Sequence, residues 1–312
     1  MGAIKNDLLA LFEEQNIEYK LDFSVALRSS FKIGGRVALA IFPNTSEQLS
    51  AAVTALYGAG VKHEIIGNGS NMLFAFDYYN GAFIFTDRLS TCNLYGEYIE
   101  CHAGVSLTYL ANLAARNSLS GLEFAYGIPA LIGGAVYMNA GAYGGQMSDV
   151  VVHTVALNRK TGKISRLEEC EFGYRQSIYM KDRDLVCLGA TLKLTRGEES
   201  EIRAKMAENM CQRKEKQPLE LGSAGSYFKR PEGHFAGKLI EDCGLKGVSV
   251  GGARVSDKHA NFIVNTGGAC RRDVLELIDL IRTQVQKTYG VSLECELQDL
   301  ESIVIKDNDR TK

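Results

Sequence analysis

The sequence predicts a mixed α and β chain: two α/β lobes that share one site, followed by a smaller α/β domain. Three observations carry this. Strand, helix, strand and glycine-rich loop follow one another between residues 37 and 86. Two longer apolar stretches, 150–157 and 185–194, suit the central strands of a second lobe. A charged stretch over 196–217, stopped by Pro218, marks a shift in composition. The boundaries are set at residues 1–89, 90–197 and 198–312.

The elements follow in order. Residues 37–42, VALAIF, read as a buried strand. Thr45 and Gln48 then stand at capping-box spacing, and Leu49, Ala52, Val53 and Leu56 make one helical face that ends at Gly58 or Gly60. HEII and FIFT, 83–86, flank the loop GNGSNML as strands. YIECHAG alternates as a strand does, and SLTYLANLAARN reads as a short helix. NRKTGKI is a hairpin turn region between the two long strands. Beyond Pro218 come strands near 248–255 and 261–265, then a helix from about Asp273. Val274, Leu277, Ile278, Ile281 and Val285 give that helix its buried face, and Gly290 suits its end.

Bulk properties narrow the function. The 312 residues are 46% hydrophobic and 23% charged, ample for a folded core, and the net charge of −2 implies no general attraction to nucleic acid or anionic membrane. The eight cysteines contain no Cys-x-x-Cys pair and read as reduced, buried thiols of a cytoplasmic protein. The five histidines lack metal-ligand spacing, so no metal site is expected. MGAIKNDLLALFEEQ lacks the basic start and apolar block of a signal peptide, and no apolar run approaches the roughly 20 residues of a membrane span.

Two glycine-rich segments carry the strongest chemical signal: IIGNGSNML, 65–73, and GIPALIGGAVYMNAGAYGG, 127–145. Glycines allow close backbone approach, so consecutive amides can converge on a diphosphate. Neither segment is a Walker loop, and GNGSNM lacks the third glycine of a Rossmann fingerprint. One such loop alone is a tight turn; two in one chain favour a nucleotide cradle. Elsewhere the residues leave alternatives open. Arg175, in FGYRQS, reads by itself as a solvated arginine; Glu294 and Glu296, in LECE, as same-face acids on an edge strand; Ser226, in GSAGSYFKRPEG, as a serine in a tight turn. Lys229, Arg230, Lys238, Lys246, Arg254, Lys258, Arg271 and Arg272 crowd the last domain and suggest an anionic ligand there.

Taken in order, SSFKIGG, GNGSNML, GLEFAYGIPALIGGAVYMNAGAYGG, FGYRQS, SAGSYFKRPEGHFAGKLIEDCGLKG and GVSLECE resemble the UDP-N-acetylenolpyruvoylglucosamine reductase family, from about Phe31 to Glu296. The resemblance implies an α+β chain with a two-lobed FAD-binding domain of the vanillyl-alcohol-oxidase type and a smaller α/β substrate-binding domain. The direct run from FGYRQS to Leu194 looks like the compact form, which lacks an extra tyrosine-bearing loop. The implied reaction is reduction of UDP-N-acetylglucosamine enolpyruvate to UDP-N-acetylmuramate for peptidoglycan. NADPH is the co-substrate, and hydride passes from N5 of FAD.

By motif match, the implied catalytic residues are Arg175, Ser226 as proton donor, and Glu296. FAD contacts fall on Gly67, Asn68, Gly69, Ser70, Asn71 and Met72, on Gly127, Ile128, Pro129, Gly133 and Gly134, and on Ala140, Gly141 and Ala142. Tyr174, Lys229 and Arg230 are assigned to substrate. The loop has no His or Cys, so FAD is expected to bind without a covalent link. A monomer is expected, without nucleic acid or membrane insertion. Three positions depart from the family pattern: Ala130 for Gly, Gly222 for Pro and Cys295 for Pro. Ala130 would strain its loop if that position needs positive φ, and Cys295 is expected to loosen the backbone that aims Glu296. Two rivals remain: another oxidase of the same flavin fold, and a sensor on a decayed enzyme. The first would often carry a flavin-linking His in GNGSNML, and the second would lose one of the three catalytic residues.

Overall fold

The computed structural model describes residues 6–299; the first five residues and 300–312, which close the expected first and last domains, lie outside that range. The chain forms two compact units. Among the described residues the first takes 6–23, 37–68 and 80–211, and the second takes 24–36, 69–79 and 212–299.

The first unit is built on two main sheets. A four-stranded sheet has the order Glu18–Ser24, Arg36–Phe42, Tyr78–Phe85, His63–Ile66. Its last two strands run parallel, with His63 opposite Ala82 and Ile66 opposite Phe85. A parallel pair requires a crossover connection; residues 67–77 make it, while the helix Ser46–Gly58 joins Arg36–Phe42 to His63–Ile66. Thr45 caps that helix by accepting the Gln48 N–H at 3.2 Å, while the Gln48 side chain reaches back to the Asn44 N–H at 2.7 Å. Its expected face, Leu49, Ala52, Val53 and Leu56, is fully buried. It shares a core with Leu8 and Phe12 of the helix Asn6–Glu14 and with Leu39, Ile41 and Ile84.

The second sheet is antiparallel, in the order Ile164–Leu167, Val151–Asn158, Leu185–Lys193, Tyr98–His102, Cys92–Tyr95. NRKTGKI is a hairpin turn as expected, but it joins Val151–Asn158 to Ile164–Leu167, not directly to the next long strand. That leaves 168–184 between the two central strands, and FGYRQS sits there. The helices Leu107–Arg116 and Ile132–Tyr137 pack in this sheet's core. The second helix lies inside a stretch read only as glycine-rich.

The second unit has an antiparallel sheet ordered Gly222–Ser226, Phe262–Asn265, Ala253–Val255, Ser249–Val250. The helix Arg271–Tyr289 contributes the expected buried face, Val274, Leu277, Ile278, Ile281 and Val285, and Gly290 ends it at φ 68°. Two distant segments join this core. Phe31 and Ile33 of SSFKIGG, with Leu73 and Ala75, pack with Phe228, Val274 and Ile281. Ser30 Oγ donates to the Ser223 carbonyl at 2.7 Å, and the Ser223 N–H donates to the Ser30 carbonyl at 3.1 Å. At Gly35 a Cβ would stand 2.1 Å from the Asp77 carbonyl oxygen, so only glycine lets these strands approach. SSFKIGG is therefore a packing motif.

The cysteines depart from expectation in part. All are free thiols, but Cys211 and Cys270 are exposed, and only Cys101, Cys170 and Cys187 are buried. Among the described residues no helix is long and apolar enough to cross a membrane, and no group of three or more His, Cys, Asp or Glu could hold a metal ion.

Candidate functional site

In the first unit the two glycine-rich segments are joined. Asn68 donates its side-chain N–H to the Pro129 carbonyl at 2.9 Å, across 61 residues of sequence. The strand His63–Ile66 delivers Gly67 and Asn68 to this point. The second segment is pinned from behind: the Leu107 N–H donates to the Ala130 carbonyl at 3.1 Å, Ile132 N–H to Val105 at 2.9 Å and Gly133 N–H to Ala103 at 2.9 Å. Gly127 stands at φ 81° and donates its N–H to Thr108 Oγ1 at 3.2 Å. The front of the cradle is open. A Cβ at Gly134 would meet nothing within 4 Å, and one at Gly67 only Leu131 at 3.9 Å. Paired loops with a rigid back and an unfilled front fit a diphosphate-bearing ligand such as FAD. Ala130 is not among the residues at positive φ, so the strain anticipated there does not arise.

The other end of the second segment meets FGYRQS. Gly141–Ala142 and Gly145–Gln146 form a small hairpin whose loop residues, Tyr143 and Gly144, both have positive φ, 52° and 85°. Facing it, Gly173 and Gln176 exchange N–H donations at 3.0 and 3.2 Å, which leaves Tyr174 and Arg175 as a two-residue loop. Arg175 stands at φ 54°, a left-handed conformation that is costly for a residue with a Cβ. Its Nη2 donates to the Gly141 carbonyl at 3.1 Å, and its guanidinium lies 5.3 Å from the exposed Tyr174 ring. Thus Ala140, Gly141 and Ala142 stand with Tyr174 and Arg175. Behind them Ser177, fully buried, donates to the Tyr137 carbonyl at 2.8 Å. Burial holds the Tyr137 phenol above its ordinary range, opposed by Arg183.

The second unit assembles the remaining candidates. Ser226 ends the strand Gly222–Ser226, where the register against Phe262–Asn265 shifts and Gly225 takes φ 89°. Such an irregularity re-aims the side chain that follows it. The chain then continues extended between two neighbours. On one side the Tyr227 N–H donates to the Asn261 carbonyl at 2.7 Å, the Phe228 N–H donates to Asn261 Oδ1 at 3.0 Å, and Asn261 Nδ2 returns a bond to the Phe228 carbonyl at 2.8 Å. On the other side Glu296 donates its N–H to the Tyr227 carbonyl at 2.8 Å, and Lys229 donates to the Glu294 carbonyl at 2.9 Å. These flank the bridge between Phe228 and Cys295. Ser226 and Glu296, 70 positions apart, are so brought onto adjoining strands. Asn71 Nδ2 reaches the Glu296 carbonyl at 3.5 Å, and Met72 pairs in parallel with Gln298. Gly69, at φ 58°, backs so closely on the Arg28 carbonyl that a Cβ would lie 2.4 Å from it. Ser70 stands between Gly69 and Asn71, half-buried.

Two expectations are corrected here. Cys295 does not loosen the backbone at Glu296. Its flanking residues are paired with the Ser226 strand, and Arg282 donates to its Sγ at 3.2 Å and to the Leu293 carbonyl at 3.2 Å. The cation-rich last domain is mostly an ion-paired surface. Lys229 pairs with Glu294, Lys238 with Asp242, Lys246 with Glu241, Arg254 with Asp257, Lys258 with Glu220 and Arg272 with Glu276. Glu294 is thus turned to Lys229, while Arg230 stacks 4.0 Å from the centroid of the exposed Phe235 ring.

The sequence matches the FAD binding domain family over residues 37–168. Over residues 217–300 it matches the C-terminal domain of UDP-N-acetylenolpyruvoylglucosamine reductase. The reductase of Caldanaerobacter subterraneus subsp. tengcongensis is 44% identical over 271 residues, 86% of this chain and 89% of that protein. The chain belongs to the UDP-N-acetylenolpyruvoylglucosamine reductase family. The reductase of Clostridium botulinum, strain Hall, is 42% identical and covers 96% of this chain and 98% of its own length. The crystal structure of the reductase from Thermus caldophilus superposes with a TM-score of 0.76 at 35% identity, covering 91% of this chain and 98% of its own. As a member of the reductase family with an FAD binding domain, the protein is an FAD-dependent oxidoreductase with an α+β fold.

Proposed function

We propose that the protein reduces UDP-N-acetylglucosamine enolpyruvate to UDP-N-acetylmuramate with NADPH, a step in making peptidoglycan precursors. The observation that carries this reading is the pairing of the Glu296 strand with the strand that follows Ser226, through the Glu296 N–H and the Tyr227 carbonyl at 2.8 Å. It brings the backbones of two distant motifs, one bearing a hydroxyl and the other a carboxyl, alongside each other. The names of the relatives support the same reaction.

FAD, when bound, would supply the two-electron chemistry that carries hydride from NADPH to the terminal carbon of the enolpyruvyl ether. The protein's own residues do the rest. Gly67–Met72, Gly127–Pro129, Gly133, Gly134 and Ala140–Ala142 would line the cofactor, without a covalent link, because the loop offers no His or Cys. Addition of hydride leaves negative charge beside the substrate carboxylate. The Arg175 guanidinium binds that carboxylate with directed, charge-assisted bonds that strengthen as charge spreads into it. Its bond to the Gly141 carbonyl fixes the plane of the fork. Ser226 Oγ gives its proton to the carbon next to the carboxylate; an alcohol is a weak acid, but a carbanion is a strong base. Glu296 either donates a proton to the developing enolate or orients the ligand beside it. Tyr174, Lys229 and Arg230 are the residues assigned to the rest of the substrate, the two cations suiting its diphosphate or its carboxylate once Lys229 leaves Glu294 and Arg230 leaves the Phe235 ring.

Anaerobic stopped-flow mixing tests the whole reading. NADPH should bleach the flavin absorbance, and UDP-N-acetylglucosamine enolpyruvate should then restore it with formation of UDP-N-acetylmuramate. A flavin that NADPH reduces but the enolpyruvyl substrate does not reoxidise sinks the substrate assignment.

A further inference from the structure

We propose that Asn139 is a positioning residue for Arg175, holding the Tyr174–Arg175 turn in the orientation that the second half-reaction needs. The inference rests on the role proposed above for Arg175 and adds a residue that no motif reading assigned. Asn139 is 1% exposed and stands at φ 42°, a left-handed conformation that asparagine tolerates better than most residues. Its amide joins three pieces of chain. Nδ2 donates to the Gly173 carbonyl at 3.0 Å and to Gln146 Oε1 at 3.3 Å, and Oδ1 accepts the Ser148 N–H at 2.9 Å. Gln146 is itself fixed by Asp149, whose carboxylate accepts the Gln146 N–H at 2.9 Å.

Gly173 opens the two-residue loop that presents Arg175. That loop does not hold itself: Arg175 is in the left-handed region at φ 54°, and such strain persists only where the surroundings over-determine it. Two side-chain ties contribute to that determination. One is the Arg175 guanidinium on the Gly141 carbonyl, a tie made by the very group that is to meet substrate. The other is the buried Asn139 amide on the Gly173 carbonyl, a tie that uses no group assigned to substrate. Its loss lets the turn shift the guanidinium fork relative to the carboxylate it must grip, and a loss of about 1 Å in placement is enough to slow a positioned reaction about 10²-fold.

The test uses the FAD-loaded protein with Asn139→Gly, which keeps the left-handed backbone at ease while deleting the amide, and with Arg175→Lys. Three results support the proposal. Reoxidation by the enolpyruvyl substrate slows at least tenfold while flavin reduction by NADPH stays within about twofold. Hydrogen exchange at the Gln176 amide, whose bond closes the turn, speeds about tenfold. Asn139→Gly added to Arg175→Lys slows reoxidation less than twofold further. Equal slowing of both halves, full additivity, or unchanged Gln176 exchange overturns it. A parent-like rate for Asn139→Gly beside a slow Arg175→Lys overturns the positioning role alone, whereas a parent-like Arg175→Lys overturns the reading it rests on as well. If Asn139→Gly does not fold, Asn139→Asp carries the same comparison, since it keeps the Ser148 bond and removes the donor to Gly173.

Discussion

Glu296 and Tyr227 are joined through the main chain: the Glu296 N–H donates to the Tyr227 carbonyl at 2.8 Å. With the Lys229 N–H on the Glu294 carbonyl, this makes Phe228 and Cys295 a directly opposed pair whose own N–H groups point away from the bridge. The placement of Glu296 against Ser226 is thereby a property of backbone pairing and not of the Cys295 side chain.

Cys295→Pro is therefore expected to be tolerated. Proline removes one N–H, and the Cys295 N–H takes no part in the two bonds that flank the bridge. Where backbone geometry is compatible, such a change stabilises by about 0.4–1 kcal/mol through the unfolded state. The lost Arg282–Sγ contact offsets part of that. Urea unfolding of the two proteins checks it; destabilisation beyond about 1 kcal/mol would show that position 295 does not accept proline geometry.

Ser226→Ala should divide the two half-reactions. It removes one hydroxyl at a half-buried position and leaves the strand pairing with Phe262 intact. Flavin reduction by NADPH should keep its normal rate. Reoxidation by the enolpyruvyl substrate should slow by roughly 10²–10⁴-fold, the usual loss when a general acid is removed. Stopped-flow absorbance of both halves decides the matter, and equal slowing of the two would remove Ser226 from the proton-donor role.

At position 175, glycine should give a more stable protein than alanine. A Cβ at φ 54° costs about 1–2 kcal/mol, so the usual preference for alanine over glycine is reversed. Both variants lose the guanidinium and should slow reoxidation about 10²–10³-fold. Urea titrations of Arg175→Gly and Arg175→Ala measure the difference, and an alanine variant as stable as the glycine one would mean that the turn relaxes.

Acid should destabilise the first unit through His63. Burial, and then the charge of Arg159, lower its pKa to about 4, against 6.5 for the free imidazole. Nδ1 lies 2.9 Å from the Val61 carbonyl, which makes Nδ1 the protonated nitrogen and leaves buried Nε2 without a partner. The unfolded chain takes up a proton below pH 6.5 and the folded one only near pH 4. The stability is thus complete above pH 6.5 and is lost as pH falls toward 4. At pH 5 the loss is about 2 kcal/mol. His63→Gln keeps a donor for Val61 and cannot titrate, so its unfolding midpoint should change less between pH 7.5 and 5. Parallel pH profiles for the two proteins would exclude His63.

Elements with strong local pattern were legible in the chain. The helix Ser46–Gly58 announced its cap and its buried face, and Arg271–Tyr289 its face and its terminal glycine. Family motifs drew attention to Arg175, Ser226 and Glu296, whose local sequence reads as a solvated arginine, a turn serine and an edge-strand acid. Asn139 and Asn261 escaped notice because a buried asparagine has no periodicity: its value lies in which carbonyls and amides come within reach. The cation-rich last domain misled for the same reason, since its acids, such as Glu220 for Lys258, are distant in sequence.

Periodicity, capping and turn chemistry act over a few residues, so order along the chain was enough to place strongly patterned elements such as Ser46–Gly58 and Arg271–Tyr289 and to mark the two glycine-rich segments. Which cradle residues meet, by Asn68 on Pro129, and which strands adjoin, by Glu296 on Tyr227, depended on hydrogen bonds closed across 61 and 69 positions. So did the passage of residues 24–36 and 69–79 into the core of the second unit, where Phe31 and Leu73 pack with Val274. Such contacts form only once apolar burial has brought the segments together, and no local signal records the partner that burial selects.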